Sequence, residues 1–246
     1  DVYKRQIYNK AVENGDAEYI PGLFQGVFTG VESKRKKSLS LENQHKLMTV
    51  KVESEVLRET QLVVCLLFQY AGMSFVDFAH LKERNIKNGI LDYNRQKTGT
   101  PMRLEILDTA ELMRKELMGD KKPASGYLFP FLSGTKTGYE AYLEYNAALS
   151  RFNRNLKALK KAAGIASDVT SYTIRHSFAM ALKEQNVPIE MISELLGHKS
   201  IKTTQIYLRS FSLEKMTEVN STCFGCVYNY VCLLYTSDAA DELDGV

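Results

Sequence analysis

One stretch limits the fold more than any other. "GILDYNRQKTGTPMRLEIL", running from Gly89 to Leu107, alternates polar and apolar residues on both sides of a Lys-Thr-Gly-Thr segment and puts Lys97 at the tip. A period of two belongs to strands, and a glycine-bearing turn between two such runs predicts a β-hairpin. No other part of the chain has this pattern. A single hairpin cannot form a sandwich or a barrel, so helices must supply the core. The chain therefore reads as mainly α with a small antiparallel β-sheet.

The helical periodicity is plain on either side of the hairpin. "IYNKAVENG" is the tail of a helix ended by Gly15, and Ser40 is placed to cap the segment "LSLENQHKL". A long apolar-periodic helix is expected over 54–71, followed by a short one in "FVDFAHL". Further helices are expected in "TAELMRKELMG", over 139–163, in "YTIRHSFAMALKEQ" and in "PIEMISELLG", where Pro188 suits a helix start and Gly197 a helix end. The stretch 21–40, rich in Gly, Ser and basic residues, reads as an entry segment with a domain boundary near 31–40.

Composition narrows the class. A chain of 246 residues with 44% hydrophobic content can bury a full-sized core. Its longest apolar run, "LVVCLLF" from Leu62, is too short to cross a bilayer, and no signal segment opens the chain, so a cytoplasmic protein is expected. Cys223 and Cys226 form a C-x-x-C with no second Cys or His pair at zinc-finger spacing. The expectation is reduced thiols and no metal. A formal charge of +3 fits a polyanionic partner.

The two ends carry their own message. "DVYKRQ" and "CLLYTSDAADE" back-translate to strings that resemble the end of a transposase-based sequencing adapter, one on each strand. Residues 1–6 and 232–246 are accordingly expected to be artefact, which leaves 7–231. Without them the formal charge rises from +3 to +6, because four acidic residues go from one end and a net single positive charge from the other.

Metal-free cutting of a phosphodiester needs fixed cations for the nonbridging oxygens, a nucleophile and an acid for the departing oxygen. Guanidinium suits the first task because its planar fork matches phosphate. Tyrosine can serve as the nucleophile. Lys97 on the hairpin, Arg175 and His176 in "SYTIRHSF", His198 after Gly197, and Tyr207 are the residues of the right kind. Taken one by one, each has an ordinary structural reading: a solvated arginine, a packed histidine, a core tyrosine.

Their order and spacing are more specific. "SYTIRHSFAMAL" followed by "ISELLGHKSIKTTQIY" resembles the C-terminal motif of the tyrosine recombinases, the phage integrase family, and especially the integrases of mobile elements in Bacteroides-like bacteria. The likeness extends from Ile7 to about Phe211 and includes "GMSFVDFAHLKERNI" and "RQKTGTPMRLEI".

The resemblance implies the fold of the DNA breaking-rejoining enzymes, with a tyrosine recombinase catalytic domain over 40–211. It implies a remnant of a helical core-binding domain over 7–30, a linker over 31–39 and a C-terminal segment over 212–231. Tyr207 would attack a DNA phosphate to give a 3'-phosphotyrosyl link. Arg175 would clamp the phosphate, His198 would hydrogen-bond to it, and Lys97 would protonate the departing 5' oxygen. Religation reverses the step, so no cofactor is implied. Double-stranded DNA is the implied partner, held by a homotetramer on two duplexes, with accessory DNA-bending proteins and no membrane.

His176, next to Arg175, takes a supporting role in this scheme. Tyr172 stands where relatives have an acid-base histidine; it is a poor base near neutral pH yet still able to donate a hydrogen bond. Ala71 stands where relatives carry an arginine before "GM". Three outcomes are open: another arginine such as Arg84, Arg95 or Arg103 supplies the charge, cutting is slow, or the chain binds DNA without cutting. Arg35, Lys36 and Lys37 in "ESKRKKS" and Lys160 and Lys161 in "LKALKKAAG" are the expected phosphate contacts. A metal-dependent nuclease is a distant alternative, since no carboxylate cluster stands out.

Overall fold

The computed structural model of the chain describes residues 2–21, 23–24, 38–121, 126–208, 216–217 and 220–222. Its helices are α1 (Val2–Asn14), α2 (Leu41–Thr49), α3 (Glu55–Gln69), α4 (Phe75–Ala79), α5 (Asp108–Met118), α6 (Gly138–Ala162), α7 (Ser171–Glu184), α8 (Ile189–Leu195) and α9 (Ile201–Tyr207). Three strands, β1 (Ile86–Lys87), β2 (Ile90–Asn94) and β3 (Pro101–Glu105), form one antiparallel sheet in the order β1-β2-β3. The mainly helical architecture with a small antiparallel sheet is the one the sequence predicts.

The helix α3 is the centre of the molecule, and its sequence explains why. Residues 60 through 67 are all buried, including the run Leu62, Val63, Val64, Cys65, Leu66, Leu67. A helix that is apolar nearly all round must be covered on every side. Here α2, α5, α6 and α7 pack around it. Burying each Val or Leu contributes roughly 1.5–3 kcal/mol before the ordering entropy is offset. A second layer of aromatics extends the core: Phe75 stacks on Phe152 at 4.7 Å and Phe78 on Phe129 at 4.2 Å.

Local signals act as expected at several helix ends. The Ser40 hydroxyl accepts from the Asn43 amide at the start of α2, and Thr170 caps α7 by accepting from the Thr173 amide. Gly197, at φ 60°, ends α8 in the left-handed region, with its amide donating to the Glu194 carbonyl and the His198 amide donating to the Ser193 carbonyl. Register in the hairpin pairs Asp92 with Arg103 and Asn94 with Pro101. The strand β1 is two residues long, too short for any periodicity, and is an addition to the expected hairpin.

The C-terminal part of the domain has a core of its own. Ala179, Ile192 and Leu196 form a small buried cluster with Phe178, Leu182, Val187 and Leu208 packed on it. That cluster holds α8 to α7 and anchors the chain just after α9. The larger core contains Leu62, Phe78, Phe129, Leu156 and, from α7, Ile174. Among the described residues no helix is long and apolar enough to span a membrane.

Candidate active site

Arg175 is the buried centre of the site. It lies on α7, where the Thr170 cap and the apolar face bearing Ile174 and Ala179 fix the helix against both cores. Its residue exposure is 2%. Buried guanidinium must have its donors met, and two carbonyls take part: Nη1 donates to Gly72 at 2.8 Å, and Nη2 donates to Leu196. Nη2 also faces Nε2 of His198 at 3.4 Å.

The Gly72 carbonyl reaches Arg175 because the chain turns sharply there. Ala71 and Gly72 both have positive φ, 55° and 63°, and Met73 returns its amide to the Leu67 carbonyl at 2.9 Å. A Cβ on Gly72 would lie 2.8 Å from the Phe178 ring, so glycine is needed for the close approach as well as for the turn. Ala71 itself is buried. Ala71 is thus part of the turn that presents the Gly72 carbonyl to Arg175.

His198 follows the glycine that ends α8. Its Nδ1 lies 2.8 Å from the Thr204 hydroxyl, and Thr204 is fully buried in α9. Arginine can only donate, so Nε2 facing Arg175 is the accepting nitrogen. The proton of the neutral ring is thereby assigned to Nδ1, which donates to Thr204. Thr204 lies three residues before Tyr207, the last residue of α9. One hydrogen bond thus joins the loop bearing His198 to the helix bearing Tyr207.

The hairpin closes the site from another side. Lys97 is exposed in the turn after β2. Below it, Arg95 is 7% exposed and donates through Nη1 to the carbonyls of Leu196 at 3.0 Å and Gly197 at 3.1 Å. Its Nε faces Oδ2 of Asp77 at 3.4 Å. Asp77 also accepts from the Ser74 hydroxyl at 2.6 Å and from the Gln96 amide at 2.7 Å. Burial and then the Asp77 carboxylate push the Tyr93 phenol up, while Arg175 and Arg95 pull it down.

The remaining expected residues fall in different places. Tyr172 is 46% exposed and sets its ring edge-on to that of His176, with centroids 4.6 Å apart. His176 is buried on α7. Lys160 is turned toward its own fold: its ammonium donates to the carbonyls of Ala166 at 3.2 Å and Ser167 at 2.8 Å and lies 3.7 Å from Asp168. Lys161 is exposed. Arg35, Lys36 and Lys37 lie outside the described residues.

Asp77, Arg95 and Thr204 are the residues that the sequence motifs do not single out for this site. Arg95 appears in the sequence only among three arginines near the gap at Ala71. A buried acid in "SFVDFA" and a threonine in "KTTQIY" are the available signals, and neither is specific. Among the described residues no cluster of His, Cys, Asp or Glu could hold a metal ion.

The phage integrase family model matches residues 37–214, and the chain belongs to that family. The tyrosine recombinase XerA of Pyrococcus furiosus is 32% identical over 177 residues, 70% of this chain and 57% of that protein. The tyrosine recombinase XerD of Lacticaseibacillus casei is 52% identical over 54 residues, 22% of this chain and 18% of that protein. The match thus spans between 18% and 57% of the length of these two relatives. Among solved structures, XerA recombinase superposes with a TM-score of 0.56 at 19% identity, covering 86% of this chain and 70% of that one. The Tn1549 transposon integrase in complex with circular intermediate DNA superposes with a TM-score of 0.60 at 13% identity, covering 89% and 78%. The fold is that of the tyrosine recombinase catalytic domain.

Proposed function

We propose that this chain is the catalytic part of a site-specific DNA recombinase or integrase of a mobile genetic element, which cuts and rejoins double-stranded DNA through a 3'-phosphotyrosyl intermediate. The observation that carries the reading is the Arg175–His198 pair, with Nη2 and Nε2 3.4 Å apart, joined through Thr204 to the helix that ends at Tyr207.

Each group has a task that its position supports. Arg175 supplies a buried, permanently charged donor to a nonbridging phosphate oxygen, and the low-dielectric surroundings strengthen that contact. His198, held by Thr204, stands beside Arg175 to hydrogen-bond the same phosphate. The Tyr207 phenol gives up its proton to solvent as its oxygen attacks phosphorus, the bond to the 5' oxygen breaks, and the departing oxygen takes a proton from Lys97. A 5' hydroxyl from another strand reverses these steps and releases the tyrosine. The bond energy is kept in the phosphotyrosine, so the scheme needs no nucleotide cofactor. Tyr172 and His176 support Arg175 along α7.

The partner is DNA, bound as a homotetramer on two duplexes, with Lys161 and the basic run Arg35, Lys36, Lys37 contacting phosphates and accessory DNA-bending proteins assisting. The solved complexes of the Tn1549 integrase with DNA and of a lambda integrase dimer bound to a core site support this reading by shared fold. A second reading, a DNA-binding protein that does not cut, is favoured by one observation: Ala71 contributes no cation.

A nicked suicide substrate tests the two. The chain is incubated with it and analysed on a denaturing gel, where the recombinase reading expects a covalent protein–DNA adduct that disappears in Tyr207→Phe. DNA binding with no adduct would leave the second reading.

A further inference from the structure

We infer that Arg95 is a positioning residue, a strut that holds the Lys97 hairpin against the loop bearing His198. The inference rests on the recombinase reading and deepens it.

The geometry assigns this role to Arg95 among the three arginines near the gap. Arg84 is exposed within the short helical turn Glu83–Asn85, and Arg103 is exposed on β3. Arg95 alone of the three is buried. Its backbone closes the hairpin turn, the amide donating to Thr100 at 2.9 Å and the carbonyl accepting from Gly99 at 2.8 Å. Two residues later in the chain comes Lys97. The Arg95 side chain leaves the hairpin and ends on the carbonyls of Leu196 and Gly197, directly before His198.

The Leu196 carbonyl is shared. It accepts from Nη1 of Arg95 and from Nη2 of Arg175, so one oxygen ties the hairpin to the centre of the site. Two like charges meeting on one acceptor repel each other, and Asp77 is the counter-charge on the Arg95 side. Asp77 restrains the same turn twice, through Arg95 Nε and through the Gln96 amide. Gly197 lets the strut approach: a Cβ there would lie 2.6 Å from Cδ of Arg95 and 2.5 Å from Sδ of Met102.

Lys97 and His198 therefore share one frame, although the chain separates them by a hundred residues. Lys97 is exposed and has four carbons of freedom, so its aim depends on the backbone beneath it. A displacement of an ångström in such a group costs on the order of a hundredfold in rate.

The role has a chemical readout that a general loss of structure does not give. A bridging sulfur in place of the 5' oxygen leaves as a thiolate, whose conjugate acid has a pKa far below that of an alcohol, and needs no proton from Lys97. Adduct formation is measured in single turnover on the oxygen and sulfur suicide substrates for the parent chain, Arg95→Ala, Arg95→Gln and Lys97→Ala. Arg95→Ala is expected to slow cleavage of the oxygen substrate by about a hundredfold with DNA affinity within about threefold, and the sulfur substrate is expected to restore it, as for Lys97→Ala. Arg95→Gln, which keeps a donor for one carbonyl, is expected to fall between Arg95→Ala and the parent, and covers the case in which the alanine variant does not fold.

Cleavage of the oxygen substrate at the parental rate by either variant would overturn the assignment. So would an equal loss on both substrates by folded Arg95→Gln, which would make the arginine a direct phosphate contact. Absence of any adduct from the parent chain would sink the recombinase reading itself, a failure separate from that of the strut.

Discussion

At the scale of single residues, Ala71 and Thr204 decide how the site is understood. Ala71 has φ 55° and is buried in the turn that brings the Gly72 carbonyl to Arg175. A long cation placed there must either be buried or disturb the turn. Ala71→Arg is accordingly expected to give no gain in adduct formation and to lower the melting temperature; faster cleavage would show that the site merely lacks a second clamp at this position. Thr204 orders the His198 ring. Thr204→Val keeps the shape and removes the acceptor, leaving a donor in need of a partner, which costs about 1–3 kcal/mol where it is buried. The expected result is a tenfold to hundredfold loss of cleavage rate, on the order expected for a misaimed group, with Thr204→Ser close to the parent. Equal rates in the valine and serine variants would remove Thr204 from the account.

At the scale of elements, what could be read in the sequence divides by range. The hairpin, the long α3 and the Ser40 cap follow from periods and capping residues within a few positions, and such patterns survive in isolation. The hydrogen bonds of Arg95 to Leu196 and Gly197 join residues about a hundred positions apart, as does that of Arg175 to Gly72. No local pattern encodes those pairs. The resemblance of "SYTIRHSF" and "LLGHKSIKTTQIY" to a known motif indicated Arg175, His198 and Tyr207, but the spacing of the motif could not show that Thr204 joins two of them. Nor could it show that Lys160 is committed to the carbonyls after α6. The short β1 was invisible because two residues carry no period.

At the scale of the whole molecule, burial of ionisable groups sets how stability depends on pH. Burial pushes the Cys65 thiol up to about 11 and the Tyr70 phenol up to about 12. It pushes the Tyr93 phenol up as well. In each case the folded chain holds a proton that the unfolded chain releases at lower pH, so the unfolded state binds fewer protons and stability falls as pH rises. The contribution is fully present below the unfolded values, near about 8.5 for the thiol and about 10 for the phenols, and is lost as pH climbs through the folded ones. Urea titrations at about pH 8 and about pH 10.5, on either side of those unfolded values, are expected to show a lower midpoint at the higher pH with an unchanged slope; a midpoint that holds or rises would mean that these groups are not buried as described.

The central claim is that Tyr207 becomes covalently attached to a DNA 3' phosphate. Trypsin cuts after Lys202 and Arg209, so the residue lies in the short peptide from Thr203 to Arg209. Digestion of the suicide-substrate adduct with nuclease and trypsin, followed by tandem mass spectrometry, locates the bond directly. This peptide is expected to carry the mass of a 3'-phosphoryl nucleotide on Tyr207. A nucleotide on any other residue, or one joined through its 5' phosphate, would contradict it.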